Sequence, residues 1–168
     1  MAEETERGAV IIGASRLDVG LERLLKSVMF HNPEGRDRLF DSDKALGTFS
    51  SRIDMCHRLG LIGDDFKSAL TIVRRIRNDF AHSIDFAKLS EAPYSDRVGQ
   101  LVHLTKEMGG YRLAAEALEG KTRSDEMYQY SCAVTAMVRM LDVSQQMGRP
   151  ADAKLCCSFA LFKALENH

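Results

Sequence analysis

The residues of this chain best suited to chemistry lie together in Arg77-Asn78-Asp79-Phe80-Ala81-His82. They close an amphipathic helix. On a wheel of about 100° per residue with Val73 at zero, Phe66, Ala69, Leu70, Ile76 and Phe80 all fall within roughly 60°. Arg77 falls near 40°, roughly inside that apolar stripe. A guanidinium facing a core is costly unless a partner and hydrogen bonds satisfy it. The pattern therefore predicts a carboxylate, a cluster of carbonyls, a dimer mate or a ligand phosphate beside Arg77. Asp18 and Glu22, at the margin of the first apolar helix face, and Asp54 are the candidate carboxylates for such an ion pair. His82 adds an imidazole, a side chain suited to moving protons. At a helix end it would also hydrogen-bond a terminal carbonyl and gain from the helix dipole. Asn78 and Asp79 can act as local caps. Arg74 and Arg75 lie off the stripe, either solvated or, with Arg77 and His82, a docking surface for an acidic partner or RNA.

The elements that must position these residues are helical almost throughout. A first helix is predicted from about Glu4 to Phe30, with Val10, Ala14, Leu17, Leu21, Leu24, Leu25 and Val28 on one face. Asn32-Pro33 stops it. Arg36 to Phe40 reads as a helical turn and Asp41 to Gly47 as a loop. Thr48 to Leu59 carries Phe49, Ile53 and Cys56 at helical spacing, with Gly60 suited to the position just past its end. Asp64 is a candidate N-cap for the helix that reaches His82 or Ser83. After a connection containing Pro93, Ser95 can cap a helix to about Met108, where Gly109-Gly110 breaks the chain. Tyr111 to Glu119 is a short helix. Ser124 starts a long one to about Met147, with Val134, Met137, Val138 and Leu141 as its apolar core. Gly148-Arg149-Pro150 separates it from a last helix, about Ala151 to Leu165, with Leu155, Phe159 and Phe162 facing inward. The expectation is an all-α, single-domain bundle of about six or seven helices over residues 1–168, sequence neighbours roughly antiparallel across short connections.

Composition narrows the function. The chain has 168 residues, 45% hydrophobic and 28% charged, enough for one sizeable core. Lys plus Arg number 23 and Asp plus Glu 24, a net charge of −1, which is no footprint for bulk nucleic-acid binding. Met1 to Arg7 is mostly acidic and polar, unlike a secretory signal, and no apolar run approaches membrane-spanning length. Cys56, Cys132, Cys156 and Cys157 lack the spacing of a zinc site. With His57 and His103 isolated, no metal or cofactor is expected. Reduced thiols in a cytoplasmic protein are the expectation.

Two stretches carry a resemblance. One is Arg7-Gly8-Ala9-Val10 with Leu17-Asp18 and Leu21-Glu22-Arg23-Leu24-Leu25. The other is Leu46-Gly47-Thr48-Phe49-Ser50-Ser51-Arg52-Ile53 with Leu59-Gly60-Leu61-Ile62 and Ile76-Arg77-Asn78-Asp79-Phe80-Ala81-His82. Together, over about residues 5–85, they resemble the bacterial mannitol operon repressor family. That resemblance implies a cytoplasmic, all-helical protein linked to repression of a mannitol-uptake operon. Direct DNA binding is the less favoured route. The nearest candidate for a helix-turn-helix, Phe49 to Leu59 and then Asp64 onward, opens its second helix with Asp64-Asp65, whose carboxylates would meet phosphates. Regulation through a protein partner, in a chain that self-associates as a homodimer or higher oligomer, is the favoured expectation.

The Arg-Asn-x-x-x-His string is also similar to the motif of HEPN domains, helical bundles that often work as ribonucleases across a dimer. On that resemblance Arg77, Asn78 and His82 would be the catalytic set. His82 would move the 2′-hydroxyl proton, and Arg77 would stabilise the charge of the pentavalent phosphorus. The place two residues before His82 is Phe80, so no tyrosine is available there for modification.

Other motifs have plainer readings. Gly47-Thr48-Phe49-Ser50-Ser51 lacks the glycines and lysine of a phosphate loop and reads as a helix cap with a buried Phe49. Met127, Met137, Met140 and Met147 recur at helical spacing and are expected in the core.

Overall fold

Steps of three and four residues between apolar positions decide which face of each helix turns inward. A computed structural model describes residues 2–29, 35–82, 87–119 and 124–147. Among them are six helices and no strand: α1 (Ala2–Val28), α2 (Phe49–Arg58), α3 (Asp64–His82), α4 (Tyr94–Thr105), α5 (Tyr111–Leu118) and α6 (Asp125–Met147). A short 3-10 turn at Arg38–Phe40 precedes α2. The helix expected over about Ala151 to Leu165 lies outside the described residues.

In α1, Val10, Ala14, Leu17, Leu21, Leu24 and Leu25 are fully buried. Val28, expected on the same face, is 44% exposed, because it stands at the last position of the helix. The stripe of α3 (Phe66, Ala69, Leu70, Val73, Ile76 and Phe80) is buried from end to end. Burying each of its side chains larger than Ala69 contributes about 1.5–3 kcal/mol. Phe80 meets Tyr94 edge to face, with ring centroids 5.1 Å apart.

Packing closes a ring. The helix α1 lies against α3, α3 against α4, α4 against α6, and α6 against α1. The helix α2 packs on the α1–α3 side and α5 on α6. Arg7 near the start of α1 donates to the carbonyl of Ala81 at the end of α3 (3.0 Å), so these two run antiparallel. The α1–α6 pair runs parallel. Tyr130 donates to the Val10 carbonyl (3.4 Å), and further along Gly20 faces Leu141. A Cβ at Gly13 would meet Val134 Cγ1 at 3.1 Å and one at Gly20 would meet Leu141 Cδ1 at 2.9 Å. Two glycines seven residues apart thus let the parallel helices approach closely.

Helix starts follow local chemistry, with two corrections. Thr48 and Ser51 form a reciprocal capping box at α2 (3.1 and 3.2 Å). Gly60 takes a φ of +69° just past α2, as a residue closing a helix does. Ser124 Oγ accepts from the Met127 N–H at 3.2 Å. Asp64, however, is no N-cap: it is the first residue of α3, and its carboxylate turns to His57 Nε2 at 2.8 Å. Nor does Ser95 cap α4, which starts one residue earlier, after Pro93 and without a side-chain cap. Phe49 is only half-buried, against the edge of the core. Met137 is fully buried, while Met127 and Met140 pack partly buried against the core.

At the end of the bundle where α1 begins, half-buried Glu6 accepts the Leu89 N–H (3.2 Å). Burial pushes its pKa above the ordinary 4.5; the Leu89 N–H lowers it, Glu126 and Glu91 add to the rise, and Lys88 opposes it. The folded protein therefore binds this proton more tightly than the unfolded chain. Stability should fall as pH rises from 4.5 through the raised value, since the folded state holds more protons there. Melting temperatures taken across that window should show the decline, and Glu6→Gln, which keeps an acceptor for Leu89, should flatten it. A wild-type curve already flat there would contradict this account.

Candidate functional site

The helix α3 distributes its charged residues unlike the sequence pattern. Arg77, expected inside the apolar stripe and answered by a carboxylate, is exposed. Its Nη1 donates to Asn78 Oδ1 at 3.0 Å. The reason is reach. Although its Cα lies within the stripe, the long Arg77 side chain carries the charge past the stripe's edge into water. His82 is exposed at the last position of α3. Asp79 is no cap; it forms an ion pair with Arg97 of α4.

The carboxylates nominated for Arg77 serve other cations. Asp54 pairs with Lys67 at 3.0 Å. Asp18 and Glu22 converge on Arg52, whose side chain is 8% exposed. Its Nη1 donates to Asp18 Oδ1 (2.8 Å) and its Nη2 lies 3.0 Å from Glu22 Oε2. Its Nε donates to the Leu46 carbonyl (2.8 Å) and Nη2 also to that of Phe40 (3.4 Å). The guanidinium carbon lies 5.7 Å from the centre of the Phe40 ring, and Lys26 Nζ stands 4.6 Å from the same ring. Among the described residues Arg52 is thus the interior cation of this bundle. Four of its five N–H donors have partners inside the bundle, which makes it a clamp holding residues 38–48 onto α1 and α2.

One open surface lies between α3 and α4. A groove of about 680 Å³ runs there, lined by Lys67, Ser68, Thr71, Ile72 and Arg75 of α3 and by Gly99, Gln100, His103 and Leu104 of α4. The α3 members recur at steps of three and four along the side away from the core. Antiparallel packing sets His103 near the start of α3 and Arg97 near its end, beside Asp79. Among the described lining residues three side chains can carry positive charge and none is a carboxylate. Ile72 and Leu104 supply apolar contact. Thr71 donates to the Lys67 carbonyl (2.9 Å) and keeps its acceptor capacity. Such a surface can receive carboxylates or phosphates flanked by apolar groups.

Of the residues singled out in sequence, Arg75 lines this groove, whereas Arg74, half-buried, Arg77 and His82 are not among its lining residues. Lys67 and His103 were not anticipated. The signal for the α3 half was present as Lys67-Thr71-Arg75, a cation–hydroxyl–cation ladder at steps of four. His103 required knowing which helix packs against α3. Among the described residues no group of three or more His, Cys, Asp or Glu side chains could hold a metal, and no helix is long and apolar enough to cross a membrane. Burial pushes the Cys56 thiol up to about 12. Cys132 is likewise raised by burial, so neither is a nucleophile near neutral pH. Compared with protein-family models, curated proteins and solved structures, the chain matches none.

Proposed function

We propose that this chain is a bacterial transcriptional regulator of the repressor type that acts through protein contact. In this reading the α3–α4 groove receives an acidic segment of the partner. The observation that carries it is the groove's polarity: Arg75, the Lys67 ammonium (which also reaches Asp54) and the His103 imidazole line it together with Ile72 and Leu104, with no carboxylate among the described lining residues. The link to sugar-operon control rests on the resemblance of residues 5–85 to mannitol operon repressors. Protein contact is favoured over operator binding because the first turn of α3 carries Asp64 and Asp65, and the rest of that helix commits one side to the core.

A photo-crosslinking residue placed at Gln100 in living bacteria tests this. One partner should be captured, and Arg75→Glu should weaken its binding by about tenfold or more, because the added carboxylate repels an acidic segment. The same variant should derepress a mannitol-operon reporter. Operator DNA shifted by the purified protein with a steep salt dependence would instead make it a direct DNA binder.

One observation favours a second reading. Arg77 and His82 are both exposed on the last turns of α3, and Asn78 accepts a hydrogen bond from Arg77. We hold an HEPN-like ribonuclease, completed by a second protomer, as that alternative. It requires metal-free RNA cleavage that His82→Ala removes while the fold stays intact.

A further inference from the structure

We propose that the face formed by α1 and α6 seats an acidic amphipathic helix of a second protein. This face is on the opposite side of the ring from the α3–α4 groove, and the proposal does not depend on the function assigned to that groove. The helix α1 carries two stripes. With Leu17 at zero on the wheel, the buried apolar side chains lie between roughly −20° and 80°. Ile12, Arg16, Val19 and Arg23 gather on the far side, between roughly 200° and 260°. Solvent-facing positions need no such order. Ile12 is 62% exposed and Val19 44%, seven residues apart. Arg16 and Arg23 are also seven apart, and both are exposed. An apolar position flanked by a charged one, repeated every seven residues, is the pattern by which a helix accepts another along a seam.

The helix α6 supplies the other wall. Val138 is half-buried, and Arg139 and Asp142 stand beside it, exposed. Two adjoining hollows of about 540 and 590 Å³ share Ile12, Arg16, Val138 and Asp142, so the groove is continuous along both helices. Parallel packing keeps it straight.

Charge selects the occupant. Three arginines and one aspartate border the groove among its described lining residues. A second copy of this chain would set arginines against arginines, a juxtaposition that disfavours association. The chain's own residues 149–168 carry Arg149, Lys154 and Lys163 against Asp152 and Glu166, so they offer no negative surplus. A helix with an apolar seam flanked by Glu or Asp answers both the valine–isoleucine ridge and the arginines.

Fluorescence anisotropy with two synthetic helical probes of about three heptads tests this. Both carry leucine at the seam; one is flanked by glutamate, the other by lysine. The glutamate probe should bind at least about tenfold more tightly than the lysine probe, with the preference shrinking in high salt. Arg16→Glu/Arg23→Glu/Arg139→Glu should reverse it, circular dichroism confirming that these exposed changes leave the helices intact. Arg75→Glu, on the other groove, should leave probe binding unchanged. Failure of the glutamate probe to bind, or equal binding of both, would overturn the proposal. So would a dimer in sedimentation that Ile12→Asp disperses, or a ready disulfide between Val19→Cys and Cys156 or Cys157, since each would give the face another occupant.

Discussion

Arg52→Ala is expected to lower the free energy of unfolding by about 3–5 kcal/mol, read from urea denaturation. The size follows from what is left behind. Asp18 and Glu22 lose the cation that joins them, and the carbonyls of Leu46 and Phe40 lose their donor. The carboxylates are 31% and 26% exposed, so water re-solvates them in part and holds the cost to the lower half of that range. The carbonyls sit against a guanidinium that is 8% exposed and have no such relief. Arg52→Lys should recover only part of the loss, because an ammonium cannot reproduce a planar fork bound on three sides. The control is Arg77→Ala. That side chain is exposed and hydrogen-bonds its neighbour Asn78, so the change should stay within about 0.5 kcal/mol of wild type. Equal losses at the two positions would show that the interior cation has been assigned to the wrong residue.

The contrast between these arginines shows where periodicity carries information and where it stops. The stripe of α3 was legible because the six buried residues repeat at helical spacing and the helix has a fixed geometry. The same wheel placed Arg77 in the stripe, but angle says nothing of length, and a long side chain can carry its charge out past the stripe's edge. Arg52 was illegible for the complementary reason. It lies about 100° from Ile53, beyond its own helix's apolar face. Its burial comes from residues 38–48 folding over it, an event that no local repeat encodes. Half of the network could still be read: Asp18 and Glu22, four apart on α1, share one helix face and suit a single cation. Two of the carboxylates nominated for Arg77 do answer a buried arginine, but that arginine is Arg52. Both surface grooves were likewise half-legible. Lys67-Thr71-Arg75 and Ile12-Arg16-Val19-Arg23 are ordered sets on solvent-facing sides, but only the ring of α1, α3, α4 and α6 turns each set into one wall of a groove.

Gly47→Val should destabilise the protein by about 3 kcal/mol, the upper part of the usual range for overpacking. Gly47 has no unusual φ; what makes it special is proximity. A Cβ there would overlap the carbonyl oxygen of Asp41 and lie 2.8 Å from the carbonyl carbon of Ser42. Those are backbone atoms, and they are pinned. Lys44 donates to the Asp41 carbonyl (2.9 Å), Gly47 to that of Lys44 (3.0 Å), and Leu46 to that of Leu39 (2.9 Å). The turn can make room only by moving as a unit, which withdraws the Leu46 carbonyl from Arg52 Nε. The glycine and the arginine therefore stabilise one arrangement between them. A double-mutant cycle should show this directly: Gly47→Val with Arg52→Ala should cost less than the sum of the two, by about 1 kcal/mol or more. Strict additivity would mean that the turn absorbs the valine without disturbing the clamp, and that residues 38–48 are held onto α1 and α2 by something other than Arg52.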